Sequence, residues 1–269
     1  MSDLASAVAA YGLPSRRTLP AAPLSDDDFD DLLARCEQHG ILGLFGELLR
    51  DDALPSTDGQ RAAAEAALRA TFTRDVEGEQ ALLLALEALA RAGVPSRVLG
   101  GADLAHTAYR RPELRVLGPI EVLVPSGTER AAAAAVGRVL DPDRVAIREA
   151  AGSDAETRDL FAPPYRFPLA GYELAALPMP QRLLRAARAV DAEGRDPAGG
   201  AVRLVKWRDV AQLVLREQPN LVDVLLMARA WACEPVLARA VVSTWSALEL
   251  ELDADPPIVR WAEGEGGAG

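Results

Sequence analysis

The chain has 269 residues, of which 49% are hydrophobic and 26% are charged, and its formal net charge is −11. This length can bury a sizeable core, in one large domain or two modest ones. An acidic chain repels the phosphate backbone of nucleic acid unless it carries a local basic patch. The densest basic spots, Arg16-Arg17 and Arg110-Arg111, are too small to form a groove. We therefore expect no nucleic-acid partner.

Cysteine and histidine usage argues against a structural zinc site. Neither of the two cysteines, Cys36 and Cys233, has a second cysteine at metal-ligand spacing, and the chain has only two histidines, His39 and His106. His39 lies near Cys36 on one predicted helix, but no third group accompanies the two. Both cysteines fit buried thiols of a reducing compartment. The N-terminus has no signal-peptide pattern, and the apolar runs are too short for a membrane span. We expect a cytoplasmic protein with no membrane partner.

The N-terminal part predicts an irregular lead-in followed by helices. Residues 1–24 contain three prolines and form the lead-in, and residues 25–93 form a helical segment. Ser25 is a suitable N-cap because acidic residues follow it in the first turn. One long helix is predicted from Gln60 to Ala92, with a bend at Gly78.

The central stretch, residues 94–177, predicts an α/β core. A strand from Arg97 to Leu99 runs into Gly100-Gly101, a helix follows, and Ile120 to Val124 is a β-branched-rich strand. Further along, the pattern predicts a strand at Val145–Arg148, an irregular stretch from Gly152 to Pro168, and an extended piece at Leu169–Leu174. Alternating strands and helices imply crossover connections in a small mixed sheet.

The C-terminal part predicts a helical bundle over residues 178–252, with Asn220 as one N-cap. A flexible connection between two of its helices is predicted from Asp191 to Gly200. The Gly/Glu-rich composition predicts a flexible tail over residues 253–269.

The glycine pair and the strand after it carry the candidate chemistry. Paired glycines let the backbone approach a phosphate because no Cβ blocks the amides; the same pair also suits an ordinary strand-to-helix turn. Strand alternation directs Glu121 to the face opposite Ile120 and Val122.

These residues give the chain a family resemblance. The chain resembles the uncharacterised nucleotidyltransferase family of the polymerase-β-like superfamily. The resemblance rests on the motif VLGG, which ends at Gly101, on Arg115, and on the motif GPIEVLV, which ends at Val124. Family members carry a leucine-leucine-lysine-glycine turn, an arginine and an Asp-Ile-Asp-Leu-Leu-Val strand. In this chain, Gly100 takes the lysine position, Pro119 the first aspartate position and Glu121 the second.

The resemblance implies an α/β fold of nucleotidyltransferase type and a set of site residues. Gly100, Gly101 and Arg115 would contact nucleotide, and Glu121 would be a vestigial catalytic residue and at most a weak metal ligand. Nucleotidyl transfer of this type needs two Mg²⁺ ions held by carboxylates two residues apart on one strand face, and Pro119 supplies none. Arg115 could equally contact a phosphate, brace its loop or pair with Glu113.

Because Pro119 and Glu121 differ from the family's two aspartates, two functions are open. The first is a degenerate member, a pseudoenzyme that serves as an accessory or binding protein; the family's setting suggests a bacterial biosynthetic pathway. The alternative is an active enzyme that uses Mg²⁺ and a nucleoside triphosphate to modify a small molecule or peptide. The partner is then a nucleotide or small molecule, or a protein.

Other polar residues give weaker signals. A third carboxylate is expected on a later strand, where Glu149 and Asp159 are the nearest candidates. His106 fits a partly buried packing residue, and Asp209 fits a brace between helices. Three tryptophans are predicted to be core anchors rather than base-stacking platforms: Trp207, Trp231 and Trp245.

Overall fold

The computed structural model describes residues 4–152, 154–195, 202–251 and 256–266, and these residues form a mixed α/β fold. The α/β class predicted from the sequence is confirmed. The strands are β1 (Arg97–Leu99), β2 (Glu121–Val124), β3 (Ala146–Glu149), β4 (Tyr165–Leu169) and β5 (Tyr172–Ala176). The helices are α1 (Leu4–Ala10), α2 (Asp26–Gln38), α3 (Leu42–Arg50), α4 (Asp58–Arg91), α5 (Gly101–Thr107), α6 (Glu129–Val136), α7 (Asp154–Leu160), α8 (Met179–Arg195), α9 (Leu204–Glu217), α10 (Leu221–Ala230), α11 (Glu234–Leu248) and α12 (Pro257–Gly266).

The five strands form one mixed sheet in the order β3-β2-β1-β5-β4. β1 is antiparallel to β2 and parallel to β5, while β2 is parallel to β3. Leu99 at the end of β1 pairs with Glu121 at the start of β2. The glycine turn that follows β1 is therefore held next to the Glu121 side chain.

Alternation along the strands separates two hydrophobic clusters on opposite faces of the sheet. Val98, Val122 and Val124 belong to a cluster that includes residues of α4 and α6. Leu99 and Leu123 belong to the other, which includes residues of the N-terminal and C-terminal helices. Period-two alternation explains this division, because successive side chains of a strand point to opposite faces.

The predicted helix starts are confirmed by their caps. The Ser25 hydroxyl accepts a hydrogen bond from the Asp28 amide at 3.2 Å, and the Asn220 side chain accepts one from the Val222 amide at 2.9 Å. α4 runs without a break through Gly78. A Cβ at Gly78 would lie 3.3 Å from Cδ1 of Ile120, so the glycine lets this helix lie close to the sheet.

The predicted irregular and extended stretches differ from the structure. The lead-in contains the buried helix α1, and the proline-rich stretch contains α7 and β4. The extended prediction for Leu169–Leu174 is confirmed at Leu169 and at Tyr172–Leu174, which lie in β4 and β5. It was wrong at Ala170 and Gly171, which turn the chain with φ of 48° and 85°. Pro168 is tolerated within β4 because that strand lies at the sheet edge, where one side of the strand needs no ladder hydrogen bond.

Part of the predicted flexible tail is a helix. α12 buries Ile258, Val259 and Ala262. Burial of these apolar side chains stabilises a helix in spite of the glycines nearby. Of the predicted connection between α8 and α9, residues 191–195 continue α8 and residues 196–200 lie outside the described residues. The tail residues 253–255 and 267–269 also lie outside them. The domain boundaries at 24, 93, 177 and 252 stay predictions.

None of the helices in the described ranges combines the length and apolar character that crossing a bilayer requires.

Candidate functional site

A cleft of about 370 Å³ lies over the glycine turn and the start of β2. The turn and strand form one wall, and residues of α8 and α9 form the other. All four site residues predicted from the sequence line this cleft: Gly100, Gly101, Arg115 and Glu121. The β1–β2 pairing brings the turn and the carboxylate together, as the antiparallel register requires.

Both glycines have a conformational or packing reason to be glycine. Gly100 has φ 72° and ψ −132°, a backbone conformation that residues with a Cβ rarely adopt. A Cβ at Gly101 would lie 2.0 Å from the carbonyl oxygen of Leu117, which is an impossible approach. The turn and the close packing thus explain why both residues are glycine. Their role in binding a phosphate stays a prediction.

Glu121 is held by a neighbouring arginine. The Nε atom of Arg148 on β3 donates a hydrogen bond to Oε1 of Glu121 at 2.9 Å. The Glu121 side chain is 29% exposed and that of Arg148 is 57% exposed. Because both groups reach solvent, we expect this ion pair to be weak.

The carboxylates around Glu121 do not fit a pair of Mg²⁺ ions. Pro119 lines the cleft but has no side-chain oxygen, and Oε1 of Glu121 is occupied by Arg148. Within the described part of the chain, no three His, Cys, Asp or Glu side chains are grouped closely enough to hold a metal. Mg²⁺ prefers octahedral oxygen coordination with one or two carboxylates in addition to substrate phosphates.

The two candidates for a third carboxylate lie elsewhere. The Glu149 side chain accepts a hydrogen bond from the amide of Gly127. The Asp159 side chain accepts one from Nε1 of Trp231 at 3.2 Å. Neither acid lines the cleft with Glu121, so neither completes a metal site there.

Arg115 is committed to a buried ion pair with Asp209 of α9. Its Nε and Nη2 atoms donate to the two Asp209 carboxylate oxygens at 2.8 and 2.9 Å. The Tyr109 hydroxyl donates to the same carboxylate at 2.8 Å. Burial lowers the pKa of Arg115, but the pair with Asp209 outweighs it and raises the pKa above its ordinary value. Of the roles left open by the sequence, this contact matches the loop brace, with Asp209 rather than Glu113 as the partner.

Part of this site lies in a segment that matches the model of a known family. Residues 25–137 match the model of a family described as an uncharacterised nucleotidyltransferase. Over these residues, which make up less than half of the chain, the chain is similar to that family. A search of curated proteins found no match, and neither did a search of solved structures.

The segment that matches the family model provides only one wall of the cleft. It contains Gly100, Gly101, Arg115 and Glu121, whereas the opposite wall comes from α8 and α9, after the matched residues. That wall contributes cations that the sequence reasoning missed: Arg182, Arg185, Arg203 and Lys206. Two sequence signals could have found them. Lys206 is the only lysine of the chain, and Arg182 and Arg185 are three residues apart, a spacing that shares one helix face.

Asp103 is a carboxyl group of the cleft that the sequence reasoning missed. It lies in the first turn of α5, is 2% exposed and lines the cleft. Its Oδ1 atom has no hydrogen-bond partner among the described residues. Burial raises the pKa of Asp103 to about 7, although nearby Arg182 acts to lower it. Perturbed carboxyls of this kind concentrate at functional sites.

The remaining candidates have structural contacts. His106 lies 2.7 Å from a carboxylate oxygen of Glu79 and stacks on Phe167, consistent with the packing role predicted for it. Trp231 and Trp245 are 4% and 8% exposed, so both are core residues as predicted.

Proposed function

We propose that this protein is a nucleotidyltransferase-like binding protein that does not carry out two-metal nucleotidyl transfer. The observation that supports this proposal is the environment of Glu121. Its Oε1 atom accepts a hydrogen bond from Arg148, and the residue two positions earlier, where the family resemblance implies a second carboxylate, is Pro119. Metal ions supply most of the charge stabilisation in phosphoryl transfer, so this substitution removes the main source of catalysis.

The ligand of the proposed binding protein is a nucleotide or another small anionic molecule. The cleft volume of about 370 Å³ is within the range of small-molecule sites. An accessory role in a bacterial biosynthetic pathway is part of the proposal, and it rests on the resemblance to the family.

Calorimetric titration with ATP, CTP, GTP and UTP tests the proposal. Each nucleotide is titrated in Mg²⁺ and in EDTA, into the wild type and into the Glu121→Gln variant. The proposal expects the same result under all conditions, either no binding or binding that depends on neither Mg²⁺ nor Glu121.

The active-enzyme alternative makes the opposite prediction. Nucleotide binding that requires Mg²⁺ and is lost in Glu121→Gln would overturn the proposal. Glu173→Gln is the matched control, because Glu173 is an exposed acid on β5 of the same sheet and does not line the cleft. This control must behave as the wild type for the Glu121 result to count.

A further inference from the structure

The cleft holds more positive charge than its own acids neutralise. Four of its arginines have acidic partners: Arg115 pairs with Asp209, Arg148 with Glu121, Arg203 with Glu193 at 2.9 Å, and Arg182 with Glu217 at 3.7 Å. Arg185 and Lys206 also line the cleft, but neither makes a hydrogen bond or an ion pair through its side chain within the described residues. In a chain with a net charge of −11, two cations without acidic partners in one cleft call for an explanation.

Both cations lose hydration in this position. Arg185 and Lys206 are half-buried, and burial lowers the pKa of each below its ordinary value. The acids that attract them most strongly, Glu121 for Arg185 and Asp209 for Lys206, already have arginine partners. Asp103 also attracts Arg185, but burial raises the pKa of this carboxyl to about 7, so near neutral pH it neutralises Arg185 only in part. A half-buried cation without a counter-charge destabilises the folded chain, so packing alone gives no reason to keep these two residues.

Arg182 supplies a second, independent observation. Its side chain is 2% exposed, and its Nε and Nη2 atoms lack a hydrogen-bond acceptor among the described residues. The guanidinium is fixed by a hydrogen bond from Nη1 to the Thr107 hydroxyl and lies 4.6 Å from the centre of the Tyr165 ring. Its ion-pair partner Glu217 has a carboxylate oxygen 3.7 Å from Nη2, which is too far for a hydrogen bond. The cleft is thus lined by a buried, oriented guanidinium whose Nε and Nη2 donors have no hydrogen-bond acceptor among the described residues.

Helix geometry brings these groups to one wall. Arg182 and Arg185 are three residues apart on α8, and Lys206 and Asp209 are three residues apart on α9. Residues at this spacing share a helix face, and all four line the cleft. The cations therefore converge opposite the glycine turn, where the family resemblance predicts the phosphates of a nucleotide.

We propose that Arg185 and Lys206, assisted by the buried donors of Arg182, form an anion subsite that binds the phosphates of a ligand without a metal ion. The proposal rests on the proposed function and extends it by naming the ligand class, a molecule with two or more linked phosphates. Guanidinium and ammonium groups here provide the neutralisation that Mg²⁺ provides in a two-metal site. Arginine binds phosphate oxygens through its planar fork, and lysine binds them as a point charge.

Calorimetry with inorganic pyrophosphate in EDTA tests this subsite directly. We expect the wild type to bind pyrophosphate, and we expect Arg185→Met and Lys206→Met to bind at least about tenfold more weakly, because each removes one of the charges that contact the phosphates. The charge-conserving variants Arg185→Lys and Lys206→Arg should retain most of the affinity. Binding by the wild type should also weaken as salt is added.

Matched controls lie on the same two helices. Arg195→Met removes an exposed arginine of α8 that pairs with Asp191, and Arg216→Met removes an exposed arginine of α9. Both should bind pyrophosphate as the wild type does. Thermal melting adds a second readout, since removing an unpaired, half-buried cation should leave the melting temperature unchanged or higher.

Three results would overturn the subsite: no pyrophosphate binding in EDTA, binding only when Mg²⁺ is present, or wild-type affinity in both methionine variants. These failures are separate from failure of the proposed function, which depends on the behaviour of Glu121→Gln with nucleotides and Mg²⁺.

Discussion

The Arg115–Asp209 pair joins the two walls of the cleft, and replacing Asp209 with asparagine should destabilise the protein strongly. The side chains are 7% and 4% exposed and are joined by two hydrogen bonds of 2.8 and 2.9 Å. Asparagine keeps the size of the side chain and removes its charge, so Arg115 is left as a buried cation without a counter-charge. Breaking a buried pair in this way costs about 3–5 kcal/mol of unfolding free energy.

This magnitude agrees with simple electrostatics. Two unit charges about 4 Å apart attract by about 4 kcal/mol at an effective dielectric constant of about 20. For a chain of this size, the melting temperature should fall by roughly 6–20 °C. Urea unfolding followed by circular dichroism gives the free energy, provided that the transition is two-state.

A double replacement separates charge from shape. Arg115→Met combined with Asp209→Leu removes both charges, and we expect it to recover most of the loss seen for Asp209→Asn, because isolated burial of the cation is the main cost. If Asp209→Asn loses less than about 1 kcal/mol, or if the double variant is no more stable than the single one, the buried pair does not act as described.

Three further predictions follow from the site. Gly101→Ala should lower the unfolding free energy by about 3 kcal/mol or more, because its Cβ would meet the Leu117 carbonyl at 2.0 Å. Gly59→Ala should not, because its Cβ would have only the Thr57 hydroxyl oxygen nearby, at 3.9 Å. Asp103→Asn should flatten the pH dependence of stability. With the Asp103 pKa raised to about 7, the wild type should be more stable near pH 4 and lose stability as the pH rises through 7, by up to roughly 1.4 kcal/mol per pKa unit. Glu121→Gln should change stability by less than about 1 kcal/mol, because its ion pair is half-exposed.

Each of these predictions has a clear contrary result in urea unfolding. Gly101→Ala as stable as Gly59→Ala would mean that the turn does not approach the Leu117 loop so closely. Equal pH profiles for the wild type and Asp103→Asn would mean that the Asp103 carboxyl is already ionised in the acidic range. A loss above about 2 kcal/mol in Glu121→Gln would mean that the pair is much stronger than half-exposed pairs usually are.

Local signals in the sequence were sufficient for the strands and helices around the glycine turn. β1 begins and ends at the predicted residues, and the caps at Ser25 and Asn220 form as predicted. These features depend on a few neighbouring residues: alternation, a capping side chain, a glycine at positive φ. The hairpin of β4 and β5 was missed because its turn, Ala170-Gly171, has only one residue typical of turns and Pro168 lies inside a strand.

The family and half of the cleft could also be predicted from the chain alone. The glycine pair, the arginine and the Glu121 strand lie within about 25 residues of one another, so their spacing carried the resemblance to the family whose model matches residues 25–137. The prediction that Pro119 stands in place of a carboxylate also came from the sequence.

Only the tertiary structure decided what faces Glu121 and Arg115. Asp209 lies 94 residues after Arg115, and the cations of α8 and α9 come after the matched segment. No local pattern relates residues so far apart, because their meeting depends on how the C-terminal helices pack against the sheet. The sequence determined the glycine turn and the strand that carries Glu121; the packing of α8 and α9 placed Arg182, Arg185 and Lys206 in the same cleft.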